Sequence, residues 1–194
     1  FRSARKPWAP ERVREYKKRH KASSLWPVVV HLSYLPNPAT GDDELYKKSI
    51  RALEEDYRRA VEIGADFLVV HPGNGGEDQD REEALHRVAC GVKTVLSRVS
   101  GETLLLLENQ AGGGTEVGGR MTDLGLILQE IDDEKRTGIC LDTCHAFAAG
   151  YELRTEEGLD ELFSEIDQSL GLSHLRLLHL NDCVGAKGSH FDRH

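Results

Sequence analysis

Five short apolar runs in this sequence each end in a residue that can bind a metal ion. Successive ends are 34 to 40 residues apart. Runs of this length, bounded by turn residues, are typical of strands that are buried on both faces. The polar side chain that ends each run is therefore expected at the rim of the core. The runs are WPVVVH to His31, DFLVVH to His71, TLLLLE to Glu108, TGICLD to Asp142 and LRLLH to His179.

Amphipathic segments lie between the runs and predict helices over residues 42–64, 80–101, 121–132 and 156–171, three of them closed by a glycine. Strands that alternate with helices of this length predict βαβ units and a parallel sheet. An open doubly wound sheet would spread its five strand ends along a line. A closed barrel gathers them at one face, so we predict an α/β fold of the TIM (β/α)8 barrel type.

The length of the chain limits this prediction to part of a barrel. The chain has 194 residues, whereas eight βα units typically take about 250. Only five strands can be counted, and a remnant of an earlier strand is expected to end at Phe1. The sequence thus predicts a single partial TIM-barrel domain over residues 1–194, truncated at both ends.

Composition is that of one soluble globular domain, with 39% hydrophobic and 30% charged residues and no run long enough to span a membrane. The four cysteines lack the spacing of a disulfide framework or a zinc ribbon, so reduced thiols and a cytoplasmic location are expected, or a nuclear or mitochondrial one in a eukaryote. The net charge of −8 argues against broad nonspecific binding of nucleic acid. It does not exclude a local site, because bound cations would reverse the charge there.

Three further residues extend the candidate metal site. His145 follows Asp142 by three residues, and Asp192 and His194 can point to one side of an extended loop. With the five strand ends they make eight ligands, which implies two or three ions. Zinc prefers this mixture of imidazole and carboxylate.

Each of these residues also has a structural alternative. Glu108 and Asp142 could be helix N-caps, and a single histidine at a strand end is more often structural than a ligand. The coincidence of five such ends favours a metal site for the set. The remaining histidines, His20, His86, His174 and His190, are assigned to structural or surface roles.

Two other segments invite a functional interpretation. The loop AGGGTEVGGR fits neither the Walker nor the dinucleotide-binding spacing, so its glycines are expected to let the backbone pass close to metal or substrate. The basic segment KPWAPERVREYKKRH could contact nucleic acid, but a solvated helix face is favoured.

Several segments, in this order, resemble the endonuclease IV family of apurinic/apyrimidinic (AP) endonucleases: FLVVHPG, LLLLENQAGGG, GICLDTCHAFAAGYELRT, LLHLNDC and GSHFDRH. The resemblance implies a hydrolase of the deoxyribonuclease IV (phage-T4-induced) type, with three zinc ions on a TIM barrel. Such an enzyme acts in base excision repair on double-stranded DNA that contains abasic sites. It cleaves the phosphodiester 5′ to the lesion and leaves a 3′-hydroxyl. The resemblance also implies a monomer with no obligatory protein partner and no membrane.

The resemblance also assigns roles to the ligands. His31 and His71 would bind one zinc, and Glu108, the catalytic residue, would bridge it to a second. Asp142 and His179 would bind the second zinc, whose last ligand in this family is a glutamate that this chain does not reach. The third zinc would be bound by His145, Asp192 and His194.

Four residues would contact DNA by the same resemblance. Tyr34 and Leu35, in HLSYLPNP, would insert into the duplex from the minor groove, where unstacking costs least at a damaged site. Arg193 in DRH would also contact DNA. Lys6 stands where the family usually has an arginine, which replaces a planar bidentate contact by a point charge.

Two alternatives remain at this point. Sugar isomerases and epimerases of the xylose isomerase type share the barrel and its strand-end ligands, but they use one or two Mg²⁺ or Mn²⁺ ions. The DRH segment with His145 makes a nitrogen-rich third site that Mg²⁺ would not favour. The other alternative is a catalytically incomplete remnant that binds metal or DNA.

Overall fold

A computed structural model describes residues 7–194. Its five strands form one parallel sheet in which each strand pairs with the next along the chain, in the order β1-β2-β3-β4-β5. This is the order of consecutive strands in the wall of a TIM barrel, and it confirms the predicted α/β class. The strands are β1 (Val29–His31), β2 (Phe67–Val70), β3 (Leu104–Glu108), β4 (Thr137–Asp142) and β5 (Leu175–His179).

The predicted helices are present. They are α2 (Asp43–Ile63), α3 (Arg81–Arg98), α4 (Met121–Ile131) and α6 (Glu156–Leu170), with α1 (Pro10–Ala22) and the short α5 (Thr143–Ala149) in addition. Side-chain caps begin four of them: Asp42 on α2, Asp80 on α3, Asp142 on α5 and Thr155 on α6.

Two details of the helices bear on the predictions. Helix α3 ends three residues before Gly101, because Val99 adopts an extended conformation and is buried. Helix α1, formed by the basic segment, has no buried residue, as expected of a solvated helix. Within residues 7–194, every helix is too short or too polar to cross a membrane.

The sheet presents two different faces. Alternate residues such as Leu68, Leu105 and Ile139 pack outward against the helices in the main core. The residues between them, Val69, Leu106 and Cys140, form a smaller inner cluster. Because side chains alternate along a strand, the polar residues at the strand ends share the inner face with this cluster.

A bulge in β5 places His179 on that inner face. Ile139 pairs with Leu175, but the next residue, Cys140, pairs with Leu177, so one residue of β5 is left over. Leu175 accordingly packs with the outer core, whereas Leu177 packs with the inner cluster. Beyond the bulge, His179 lies opposite Asp142. A regular strand would have presented Leu178 there.

Helices α4 and α6 pack closely at Gly125. A Cβ atom added there would lie well inside contact distance of the backbone carbonyl oxygen of Ser169. We therefore expect Gly125→Ala to lower the free energy of unfolding by about 1–3 kcal/mol, although alanine normally favours a helix by roughly 1 kcal/mol. Urea denaturation followed by circular dichroism measures the change.

Gly91→Ala in α3 is the matched control. Its Cβ would meet chiefly the end of the Ile50 side chain, which can rotate away, so a smaller loss is expected. A Gly125→Ala variant that is more stable than the parent would contradict the close approach.

Candidate metal centre

Glu108, at the end of β3, is the centre of the strand-end cluster. Its side chain is buried, with 1% of the residue exposed. His31 Nε2 lies 2.8 Å from Oε2, His71 Nε2 lies 3.1 Å from the same oxygen, and His179 Nδ1 lies 2.8 Å from Oε1. Side chains from four strand ends therefore meet at one carboxylate.

Asp142 and His145 extend the cluster along β4 and α5. His145 Nδ1 is 3.6 Å from Glu108 Oε1, and Asp142 Oδ2 is 3.9 Å from His179 Nδ1. Asp142 also caps α5, because its Oδ1 accepts a hydrogen bond from the His145 backbone N–H at 2.9 Å. The N-cap interpretation therefore holds for Asp142 without excluding a ligand role for its second oxygen. It fails for Glu108, since the next helix begins only at Met121.

The segment at the end of the chain joins the cluster through Asp192. His145 Nε2 lies 3.3 Å from Asp192 Oδ2, and His194 Nδ1 lies 3.3 Å from Asp192 Oδ1. All eight candidate ligands thus form one continuous network across the sheet ends.

Two cysteines also lie beside the network, and sequence reasoning did not include them. The potential ligand atoms of Cys144, Asp192 and His194 lie within 4.8 Å of one another, as do those of Cys140, Glu108 and His179. Burial raises the pKa of Cys144 to about 12 and that of Cys140 further. Burial thus favours the protonated form of both thiols, and a bound cation would oppose that effect.

Backbone carbonyls orient two of the imidazoles. His31 Nδ1 donates to the Leu32 carbonyl at 2.7 Å, and His145 Nδ1 donates to the Asn109 carbonyl at 2.9 Å. In both rings the second nitrogen, Nε2, is left to face a carboxylate. Such carbonyl partners fix the ring and tautomer of metal-binding histidines.

Two asparagines that sequence reasoning did not assign to the site hold Asp142. Asn109 Oδ1 accepts from the Asp142 backbone N–H at 2.7 Å, and Asn109 Nδ2 donates to the Asp142 carbonyl at 3.1 Å. Asn181 Nδ2 donates to Asp142 Oδ2 at 2.5 Å. The available signal was position, because each asparagine follows a strand-end ligand by one or two residues.

The charges of the cluster are coupled. Burial alone would raise the pKa of Glu108, but hydrogen bonds with His31 and His179 and the nearby imidazole of His71 outweigh it and hold that pKa far below its ordinary value. The hydrogen bond to Glu108 raises the pKa of His31, against the lowering effect of burial, and the Leu32 carbonyl adds to the rise. The raised pKa of His31 favours its charged form, which offsets the charge of the buried carboxylate.

The residues of the cluster fit a metal ion. His71 Nε2 and His145 Nε2 are buried and have no hydrogen-bond partner among residues 7–194, although each faces a carboxylate. A buried lone pair without a donor is unfavourable unless a cation takes it up. The set of imidazole nitrogens and carboxylate oxygens is one that zinc binds.

Known proteins are similar to this chain in sequence and in fold. The family model of the xylose isomerase-like TIM barrel matches residues 1–194. The chain is 42% identical over 182 residues to the "Probable endonuclease 4" of Halothermothrix orenii, covering 94% of this chain and 65% of that protein. The crystal structure of endonuclease IV from Thermus thermophilus superposes with a TM-score of 0.84 at 36% identity, covering 97% of this chain and 65% of that one.

The chain belongs to the endonuclease IV family. It spans 65% of the length of each of these two relatives. A D-tagatose 3-epimerase-like protein superposes with a TM-score of 0.72 at 20% identity, over 94% of this chain and 66% of that one. That likeness is one of fold alone.

In this member of the endonuclease IV family, two apolar side chains stand exposed beside the cluster. Tyr34 is 70% exposed and Leu35 is 63% exposed. The Tyr34 ring packs edge-on against His71, with 4.9 Å between ring centroids. Arg193 is exposed, and its backbone carbonyl accepts from the Val184 N–H at 2.9 Å. Lys6, the fourth predicted DNA contact, lies outside the described residues.

The glycine-rich loop of this endonuclease IV family member packs on the segment that carries Asp192. A Cβ on Gly113 would lie 2.8 Å from the His190 carbonyl oxygen. His190 Nδ1 in turn donates to the Ala111 carbonyl at 3.0 Å. The close approach of Gly113 is thus made to residue 190, whereas the sequence predicted an approach to metal or substrate, and His190 has the structural role predicted for it.

The ion pair between Glu108 and His31 gives the metal-free protein a characteristic pH dependence. The lowered pKa of Glu108 means that its contribution is present above the ordinary value of 4.5 and is lost as pH falls below it. The raised pKa of His31 means that its contribution is present below 6.5 and is lost as pH rises through the higher folded value. We therefore expect the difference in melting temperature between the parent and Glu108→Gln, measured in the presence of a chelator, to be largest between about pH 4.5 and pH 6.5. Glu102→Gln, which precedes β3 at its opposite end, is the control and should change the dependence of melting temperature on pH very little. If the difference between the parent and Glu108→Gln were the same at every pH, the ion pair would be refuted.

Proposed function

We propose that this chain provides the metal-binding face of an AP endonuclease, which hydrolyses the phosphodiester 5′ to an abasic site in duplex DNA and leaves a 3′-hydroxyl. The observation that carries the proposal is the convergence of His31, His71 and His179 on Glu108 at the barrel rim. Membership of the endonuclease IV family supports the choice of reaction.

The distances support three groups of ligands. His31 and His71 share Oε2 of Glu108, and His179 faces Oε1 of Glu108 together with Asp142. The third group is His145, Asp192 and His194. We assign one zinc ion to each group, with Glu108 common to the first two. Bound zinc neutralises phosphate charge and supplies hydroxide near neutral pH, by lowering the pKa of water to about 7.

The protein holds the carboxylates of Glu108 and Asp142 in position and shields Glu108 from water. Glu108 is held by imidazoles on both of its oxygens, so its orientation does not depend on solvent. Asn109 and Asn181 fix Asp142 from two sides. Partners of this kind typically change metal affinity or activity by about 10- to 100-fold when they are removed.

Recognition of the lesion is assigned to Tyr34 and Leu35. Both are exposed, and the Tyr34 ring packs against His71, so an exposed aromatic and its neighbouring leucine are suited to enter a base step. An abasic site has already lost one base from the stack, so inserting a side chain there costs least. Arg193 is exposed beside the ligands Asp192 and His194, where a cation would meet the phosphate backbone.

A sugar epimerase is the second candidate, because an epimerase-like protein has the same fold, although a shared fold does not by itself select the reaction. The third ligand group weighs against it. His145 and His194 flank Asp192 with two imidazole nitrogens, a donor set suited to zinc and ill suited to the hard Mg²⁺.

The central test of the function is Glu108→Gln on a duplex with one synthetic abasic site. We expect incision 5′ to the lesion by the parent and a loss well above 100-fold in the variant, since Glu108 touches both of the first two groups and even partners of ligands change activity by about 10- to 100-fold. Product ends are identified by gel electrophoresis and primer extension.

Glu102→Gln is the control and should retain parental activity. The assay is run with the 194-residue chain and with a version extended to the length of its relatives. Absence of incision in both, together with turnover of a ketose, would replace the nuclease proposal by the epimerase.

The recognition role of the exposed pair is tested with Tyr34→Ala and Leu35→Ala. We expect KM for abasic duplex to rise roughly 10-fold or more, as for the loss of about 1–3 kcal/mol of stacking, with smaller changes in zinc content. Leu25→Ala, equally exposed (76%) but preceding β1, is the matched control. Equal KM values for all three variants would remove Tyr34 and Leu35 from recognition.

A further inference from the structure

Three potential ligands meet on the outer helical layer, away from the strand ends. His86 and Cys90 lie one turn apart on α3, and Glu130 lies in the last turn of α4. His86 Nδ1 is 2.6 Å from Glu130 Oε1, Cys90 Sγ is 3.9 Å from His86 Nδ1, and Cys90 Sγ is 4.0 Å from Glu130 Oε1. This triad is separated from the strand-end centre by the core, to which the neighbouring Ala89 belongs.

The arrangement is more than a surface ion pair. The i, i+4 spacing places the imidazole and the thiol on the same side of α3, and the second helix supplies the carboxylate. Ligands of one tetrahedral ion, bound at roughly 2.0 to 2.3 Å, lie about 3.3 to 3.6 Å apart. The His86–Glu130 pair would therefore open by several tenths of an ångström, and Cys90 would approach by about as much, to share an ion. In the metal-free geometry a proton lies between His86 and Glu130, and a cation can take its place.

We propose that His86, Cys90 and Glu130 bind a zinc ion that joins α3 to α4, with water as the fourth ligand. Nitrogen, thiolate sulfur and carboxylate oxygen together select zinc over magnesium or calcium. His86 is 59% exposed as a side chain, so the ion can enter from solvent. The site is independent of the strand-end centre and of the proposed reaction.

The surrounding charges are compatible with an ion. Lys93 Nζ donates to the Glu130 backbone carbonyl at 3.1 Å, and Arg87 is paired with Asp43 at 2.9 Å and stacked on Tyr46. Burial and the charge of Glu130 raise the pKa of Cys90, whereas these two cations oppose the rise. A bound zinc ion deprotonates a coordinating thiol outright.

Zinc at this proposed site would have two measurable effects that distinguish it from zinc at the strand-end centre. Zinc bound here should raise the melting temperature by linking two helices, because it binds the folded state. Cobalt bound here should show the absorption of a thiolate ligand, which His, Asp and Glu ligands alone do not give.

The test uses the parent and the variants Cys90→Ser and Glu130→Gln, with Glu83→Gln on α3 as the control. Each is stripped with chelator, dialysed against micromolar zinc and analysed for zinc per chain. We expect Cys90→Ser and Glu130→Gln to bind one zinc fewer than the parent and Glu83→Gln to bind as many. On titration with Co²⁺, the thiolate band should be absent from Cys90→Ser and present in Glu83→Gln.

Equal zinc content in parent and Cys90→Ser, or binding only at millimolar zinc, would overturn the proposal. Melting curves in chelator show whether the variants are folded, and a zinc-induced rise in melting temperature that Cys90→Ser retains in full would also overturn it. Incision of abasic DNA is measured in parallel. Loss of the outer zinc with unchanged incision supports this site, and absence of incision in every protein would bear only on the proposed function.

Discussion

A charged carboxylate buried among imidazoles is the interaction on which the rest of the site depends. Burying an ion costs several kcal/mol unless opposite charge and hydrogen bonds offset it. Glu108 is 1% exposed, so its charge requires protons or metal ions on the surrounding His31, His71 and His179. His31 and His179 each end a strand, and His71 directly follows another. The electrostatics of one residue therefore require the ends of four neighbouring strands to be in place together.

Because the site depends on strand ends that meet, the strands and most of the site residues could be predicted from the sequence. Apolar runs that end in a ligand, at intervals of one βα unit, are sufficient to predict the five strands and their parallel order, because burial and periodicity are local properties. The same pattern identified His31, His71, Glu108, Asp142 and His179 as neighbours, since parallel strands end at one edge of a sheet.

Other features could not be predicted, because they depend on contacts between distant segments. The approach of Gly113 to His190 joins residues nearly 80 positions apart. The hydrogen bonds of Asn109 and Asn181 to Asp142 depend on a geometry that residue type alone does not specify. His86 was assigned to the surface because its partner Glu130 lies on the next helix. The end of α3 before Gly101 was decided by the burial of Val99.

The irregularity in β5 has a consequence for how sequences of this kind can vary. The additional residue between the pairs Ile139–Leu175 and Cys140–Leu177 sets which side of the strand His179 occupies. Pairing of the same residues without the bulge would turn the imidazole toward the helices and bring Leu178 against Glu108, while leaving the overall hydropathy of the strand unchanged. A change in the length of this strand is therefore compatible with the site only where the pairing beyond it keeps His179 opposite Asp142, a constraint that the surface loops do not share.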